Sequence, residues 1–433
     1  MYILYSLLLA LAVLISLPWW VLQMLRLGKY RAGLAERLGR VPDWLKETAK
    51  TGSIWVHAVS VGEVLAVSHL IGELRKAYPD RPIFISTTTS TGQKLARERF
   101  GEAYVFYMPL DFGFALRPYL RLLQPKLLIL AETEFWPNLV HLARKQGAEV
   151  AIVNARISDR SFPRYRRFRW FFAPVLSQVT LFLPQTEEDA RRLREIGAAD
   201  KRVQVSGNLK FDIRPSSSTR LVDELRQAIR PGSPVVVCGS TAEGEEEPLL
   251  EAWQRVLPGF PTAVMVLAPR HPERFDKMAA LIVSMKLTLI RRSLWNDGSA
   301  ITSNVFLLDT VGELASVYAL ADIAFVGGSL VPTGGHNILE PAQHGVAIMV
   351  GPHTFNFREI VRIFEEGSEE GNGLTVVTAD DLSRQWLELL KHPEESKRLG
   401  QRAHELFTQH TGATQKTLRA LAPLLGGKAG GTQ

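Results

Sequence analysis

The 433 residues contain one cysteine, Cys238, which excludes an intramolecular disulfide framework. It sits in the apolar run VVVCG, where a buried thiol is expected rather than a reactive one. Neither GxGxxG nor GxxxxGK[ST] occurs, so ordinary dinucleotide-binding and P-loop readings lose their main support. His271, His336, His344 and His353 follow no HExxH or Cys/His ligand spacing, and no DxD stands in the strand-end loops. A metal is therefore not indicated. There is no GxSxG elbow to support a serine hydrolase. RNP, KH and zinc-finger patterns are missing too, which leaves nucleic acid without a motif.

Charge is also absent from one long stretch. Met1 to Leu25, MYILYSLLLALAVLISLPWWVLQML, carries no Asp, Glu, Lys or Arg, and about 20 apolar residues suffice to span a bilayer. Trp19 and Trp20 fall where an interfacial aromatic belt sits, and Arg26, Lys29 and Arg31 follow. Positive charge on that side predicts a retained anchor with the remaining chain cytoplasmic. A cleaved signal peptide fits less well, because no basic segment precedes the apolar run. Pro18 keeps open a helix that dips into the membrane without crossing it.

The rest of the chain has a globular composition, with 22% charged and 46% hydrophobic residues. The net charge of +7 favours an anionic partner: phospholipid, phosphorylated substrate or nucleic acid. Strand-like runs alternate with helical periodicity: SIWVHAV, PIFIST, YVFYM, KLLILAE, EVAIVN, TLFLP and VQVSG in the first half. PVVVCG, AVMVLA, VFLLD, IAFVGG, AIMVG and LTVV follow in the second. Such alternation predicts parallel sheets covered by helices. The expected organisation is an anchor at 1–25, an α/β domain at 26–210, a Pro/Ser-rich linker at 211–232 and a second α/β domain at 233–425.

Ligands of open α/β sheets bind at the carboxyl ends of the strands. Glu63 stands there, after the first strand and at the start of a helix. Ser60-Val-Gly-Glu63 fits an S-x-x-E capping box, so Glu63 is either a helix cap or a proton acceptor. Glu132 and Glu134, in KLLILAETEFWPN, lie where a buried strand emerges, and alternation puts both on one side. They either serve a ligand or form the polar end of a strand. In the second half GGSLVPTGGHNILEPAQHG pairs glycines with a helix start near Asn337, suited to a phosphate, and Glu340 is placed to bind ribose hydroxyls. Arg270 in APRHPERF and Gly312 in DTVGEL occupy two further strand-to-helix turns, and Arg270 suits bidentate phosphate contact. Residues 155–172 interleave six arginines with aromatics. They form either a solvated helix face or a contact for anionic lipid, which the anchor makes a better partner than nucleic acid.

HAVSVGE, TTTSTG, ETEFWPN, NARIS, QTEEDA, GNLKFD, PRHPERF, FVGGSL, GGHNILEPA and GPHTFNF occur in this order. Together they resemble the 3-deoxy-D-manno-octulosonic acid (Kdo) transferases of lipopolysaccharide synthesis, from the anchor to about residue 420. The resemblance implies a GT-B glycosyltransferase, with two Rossmann-like domains facing across a cleft. It implies inverting, metal-independent transfer of Kdo from CMP-β-Kdo to the lipid A precursor lipid IVA. The location implied is the cytoplasmic face of the inner membrane, on an anionic lipid surface, with no cofactor and no nucleic acid. Carried onto this sequence, the base falls on Glu63, and a second acidic role on Glu132 or Glu134. The CMP contacts fall on Pro269 and Arg270, on Val311, Gly312 and Glu313, and on Asn337, Ile338, Leu339 and Glu340.

Overall fold

The computed structural model describes residues 1–27, 32–49, 52–212, 219–296, 298–367 and 371–426. They form two compact units, Met1–Ile213 with Thr411–Gln433, and Arg214–His410.

The first unit is built on six parallel strands: β1 (Ile54–His57), β2 (Ile83–Thr87), β3 (Val105–Tyr107), β4 (Leu127–Ala131), β5 (Glu149–Ala155) and β6 (Leu181–Pro184). Their order is β3-β2-β1-β4-β5-β6, and every pairing is parallel. This is the order of a doubly wound dinucleotide-type sheet. Trp55, Phe84, Phe106 and Leu128 pack into the core on one face, and Ile54, Val56, Ile85 and Ile129 into the core on the other. A strand buried on both faces reads as a continuous apolar run, which is why these six were legible. The seventh expected strand, VQVSG, does not join the ladder. Gln204 and Ser206 donate to the carbonyls of Phe182 and Pro184, and the chain then turns away at Gly207, φ 94°.

The second unit has seven strands: β7 (Val235–Thr241), β8 (Val264–Pro269), β9 (Leu289–Arg291), β10 (Val305–Leu307), β11 (Ile323–Val326), β12 (Ala347–Val350) and β13 (Thr375–Val376). They are ordered β13-β12-β11-β7-β8-β10-β9, again all parallel. β9 escaped the sequence reading because none of its three residues is fully buried.

Two boundaries differ from expectation. Within the expected linker, 213–218 lie outside the described residues. Thr219–Ala228 is a helix whose Leu221 and Leu225 enter the core of the second unit. Its apolar residues recur at helical spacing, but the serines before it disguise them. The last helix, Ala413–Leu421, belongs to the first unit instead of closing the second. Asp212 accepts the amides of Gly412 and Thr414, and Leu421 and Leu425 join Val64, Val67 and Leu70 in one core.

The segment expected to be an anchor is a helix, Tyr2–Leu27, and Tyr2–Leu22 is long and apolar enough to cross a membrane. Among its described side chains, Tyr2, Tyr5, Ser6, Leu9, Val13, Ser16, Trp20 and Met24 are half-buried. They recur every three or four residues and define one face. Tyr2 stacks on His141 with ring centroids 4.0 Å apart, and Asn138 Nδ2 donates to Ser6 Oγ at 3.0 Å.

Candidate active site

The helix Val61–Ala77 begins four residues beyond the end of β1, and Ser60 is its N-cap. Ser60 Oγ accepts the Glu63 amide at 3.5 Å and donates to Glu63 Oε1 at 3.0 Å. The other carboxylate oxygen accepts from the Val59 amide at 2.7 Å, one residue before the N-cap. The box is therefore present but displaced, and it pins the carboxylate to the turn. The TTTSTG segment holds that turn in place, with Thr88 and Thr89 donating to the Val59 carbonyl. A Cβ at Gly92 would crowd the turn, lying 2.8 Å from Thr89 Oγ1 and 3.3 Å from the Ser60 carbonyl carbon.

Glu63 is 8% exposed. Burial first, then the charges of Glu132 and Glu134, push its carboxyl up to about 7 against the pull of the Val59 amide and Ser60. A carboxylate titrating near neutrality has both the affinity and the free fraction that a general base needs.

β4 ends at Ala131, and Glu132 turns out of it with φ 54°. Strand alternation thus stops before the two glutamates, and a left-handed residue aims Glu132 instead. Asn154 in the adjacent strand β5 also has φ 54°. Two non-glycine residues in this sparsely populated region, on neighbouring strands, mark a strained locus of the kind found at functional sites. Asn154 Oδ1 accepts the Leu209 amide at 2.9 Å, and its carbonyl accepts Gln185 Nε2 at 3.1 Å. NARIS, QTEEDA and GNLKFD therefore meet at one residue. Lys210, from the last of these, lies 3.3 Å from Glu132 Oε1. Glu134 accepts from Trp136 Nε1 at 2.7 Å. Its carboxyl is raised by burial and by Glu132. His57 packs edge-on to Trp136, and burial lowers it to about 4, so it stays neutral.

In the second unit β10, β8, β7 and β11 are neighbours. Being parallel, they send their following loops out of one edge. Pro269 ends β8, and Arg270 is exposed just beyond it. After β10, Val311 is 79% exposed and Gly312 has φ 93°. Glu313 accepts from Thr310 and pairs with Arg292 at 3.3 Å. After β11 comes the glycine-rich loop. Asn337 and Ile338 then lead into Leu339–Gln343, a helix of five residues. It starts two residues later than expected and has no side-chain cap. Glu340 is half-buried and desolvation raises its carboxyl, with Asn337 and Arg270 pulling it back. Burial, then Arg270, lowers His336 to about 4. Arg270, His336 and Glu340 thus form one electrostatic group.

A buried glutamate builds this loop from below. Glu245 is 0% exposed, and its two oxygens accept the amides of Ala242, Gly328, Ser329 and Leu330 at 2.6 to 2.8 Å. Gly327 passes so close that a Cβ would lie 2.6 Å from the Ser240 carbonyl oxygen. Next to it, Arg274 holds buried Glu246 through two hydrogen bonds of 2.6 and 2.9 Å. Among the described residues, no three His, Cys, Asp or Glu side chains gather as metal ligands.

A family described as 3-deoxy-D-manno-octulosonic-acid transferase (kdotransferase) matches residues 32–213. The 3-deoxy-D-manno-octulosonic acid transferase of Haemophilus influenzae is 37% identical over 401 residues, 92% of either chain. The chain belongs to the Kdo transferase family. Among solved structures, the C-terminal CMP-Kdo binding domain of WaaA from Acinetobacter baumannii is 37% identical, with a TM-score of 0.40, covering 43% of this chain and 96% of that one. UDP-GlcNAc 2-epimerase from Neisseria meningitidis is 13% identical, with a TM-score of 0.54, covering 85% of this chain and 99% of that one. It shares the fold alone.

As a Kdo transferase the chain is a glycosyltransferase, and the geometry places its expected residues in two groups. Glu63, Glu132 and Glu134 interact within the first unit. Pro269, Arg270, Val311, Gly312, Glu313, Asn337, Ile338, Leu339 and Glu340 line the loops at one sheet edge of the second. The sequence reading missed Lys210, Asn154, Glu245, Glu246 and His336. Lys210 and Asn154 stood inside quoted motifs without a stated role. Glu245 and Glu246 stood in GEEE, which reads as solvated charge at a helix start. Cys238 is fully buried, and its thiol is raised by burial and by Glu245, as an inert core residue is.

Proposed function

We propose that this Kdo transferase moves Kdo from CMP-β-Kdo to lipid IVA with inversion, using Glu63 as general base. One observation carries the proposal: Glu63 is a buried carboxylate raised to about 7 beside two further carboxylates at the end of a parallel sheet. An acceptor hydroxyl gives its proton to Glu63 as its oxygen bonds to the anomeric carbon of Kdo. The bond from that carbon to the phosphate oxygen breaks, and CMP leaves with the electron pair. Arg270 offsets the charge on the departing phosphate. The strand-end loops of the second unit hold the nucleotide, through Pro269, Val311–Glu313 and Asn337–Glu340. Glu132, with Lys210 beside it, and Glu134 bind the acceptor sugar and keep the base from ionising too early.

The catalytic units belong on the cytoplasmic face, beside anionic lipid. The anchor lies in the plane of the membrane surface rather than crossing it. A crossing helix carries its first residues about 30 Å from its last, whereas Tyr2, Tyr5 and Ser6 touch His141, Phe171 and Asn138 of the first unit. Exposed Phe168 and Trp170, among exposed Arg164, Arg166, Arg167 and Arg169, suit the same surface.

The test is turnover by wild type and Glu63→Gln on CMP-Kdo and lipid IVA, read by mass spectrometry with melting temperatures alongside. An active wild type and an inactive, equally stable variant fit the proposal. Normal turnover by Glu63→Gln makes the residue a helix cap and moves the search to Glu132 and Glu134.

A further inference from the structure

Between the anchor helix and the body of the first unit runs an open groove of about 700 Å³. The helices Gly113–Leu123 and Pro137–Lys145 and the turn before the first of them form its other wall. Its surface is apolar, with Leu7, Leu14 and Leu17 from the anchor facing Leu110, Phe114 and Leu142. Two cations break that pattern. Arg117 and Lys145 line the groove, are exposed, and have no carboxylate partner among the described residues. Elsewhere in the chain exposed arginines commonly pair with a neighbouring acid, as Arg191 does with Glu188 and Glu195. Unpaired cations beside an apolar slot match a ligand with a hydrocarbon tail and an anionic head.

The groove also lies within one short segment of the candidate site. Glu132, Glu134, Trp136 and Asn138 belong to one short segment. Its first residues carry the site carboxylates, while Asn138 lines the groove. From Glu134 to Asn138 the chain spans at most about 14 Å. Asn138 is fixed on both sides, donating to the Asp111 carbonyl and to Ser6 of the anchor. Asp111 in turn caps the helix Pro137–Lys145, accepting the amides of Asn138 and Leu139 at 3.1 and 2.8 Å. The segment that orients the carboxylates is thereby also the floor of the slot.

We propose that this groove holds one acyl chain of the acceptor glycolipid, with Arg117 and Lys145 at its phosphorylated headgroup, while the sugar reaches the carboxylates. The inference rests on the acceptor reading given above. Its volume lies within the ~300–1,000 Å³ of ordinary ligand sites. The tail arrives from a bilayer and not from water, so the groove selects it by shape and depth, and the cations set its register.

The test uses the full chain in phospholipid nanodiscs and two acceptors: lipid IVA, and the same phosphorylated disaccharide with its acyl chains removed. KM and kcat are measured for wild type, for Ala10→Trp, which fills the groove, and for Arg117→Glu, which reverses a rim charge. Melting temperatures report folding. In wild type the acylated acceptor has the lower KM. Ala10→Trp raises that KM about tenfold and so collapses the preference for the acylated form, with kcat retained. Arg117→Glu raises it as well, by a smaller factor. An unchanged acyl preference in Ala10→Trp overturns the groove, as does equal loss on both acceptors. If wild type glycosylates neither acceptor, the proposed function itself fails and the groove assignment falls with it.

Discussion

Glu63 and Glu245 are counterparts. Each is a buried glutamate at the strand-to-helix turn after the first strand of its unit, and each binds backbone amides. Glu63 receives one amide and one hydroxyl and faces two other carboxylates. Glu245 receives four amides, which satisfy both of its oxygens. The first retains a lone pair and a proton affinity shifted to about 7. The second has no acceptor capacity to spare, and its work is to shape a glycine loop. On the proposed function, the same residue in the same topological place serves as a reagent in one unit and a scaffold in the other, and the donors around it decide which.

Several substitutions sharpen or break that contrast. The largest effect is expected for Glu63→Gln, which lowers kcat about 10²- to 10⁴-fold, as loss of a general base does. An unimpaired rate in the transfer assay would erase the contrast. Glu245→Ala leaves four buried amides without a partner and lowers stability by at least about 3 kcal/mol. Denaturant unfolding checks it, and a loss under 1 kcal/mol would show that the amides find other acceptors.

The third prediction concerns pH. For wild type, kcat/KM rises with pH through about 7, because the base must be ionised. Stability runs the other way. The folded-state value, about 7, lies above the ordinary 4.5. The folded protein thus binds the proton more tightly, and stability falls as pH rises from 4.5 to 7. Glu63→Gln lacks that loss, so its melting temperature gains on wild type between pH 5 and pH 8. Equal pH dependence of melting in the two proteins would contradict the burial argument.

Two smaller effects follow. Glu132→Gln removes a like charge from Glu63, so the acid limb of the rate profile moves to lower pH, by less than about one unit. Movement to higher pH would mean that Glu132 stabilises the ionised base. Ser60→Ala removes the N-cap and costs about 1 kcal/mol in urea unfolding. It also deletes a hydrogen bond to the Glu63 carboxylate, so the acid limb rises slightly. A variant as stable as wild type would show that the Val59 amide alone holds the turn.

Much of the architecture was readable before any coordinates. Strands buried on both faces are written as unbroken Val, Ile and Leu, and six of the seven runs proposed for the first half do pair. VQVSG reaches the edge of β6 only as an isolated bridge between Val203 and Phe182, because the chain turns away at Gly207 before a ladder can form. Thr219–Ala228 failed in the opposite direction, since polar and serine-rich surroundings outweighed two buried leucines. Glu63, Arg270 and Glu340 were proposed from the sequence because each follows a strand-like run at a strand-to-helix turn, and the structure keeps them at such turns. Lys210, Asn154 and Glu245 were not, because each acts on a segment distant in sequence. Glu245 binds amides 83 to 85 residues away.

The sequence by itself determined the apolar leader, the two α/β halves and the strand ends at which polar residues gather. These are local quantities, set by periodicity and by residues that start helices. Tertiary structure alone decided that Glu132 leaves its strand with φ 54°, that the last helix returns to the first unit, and that the two glutamates have different fates. Proton affinity, strain and saturation of a carboxylate depend on which distant groups surround it, and only folding brings those groups together.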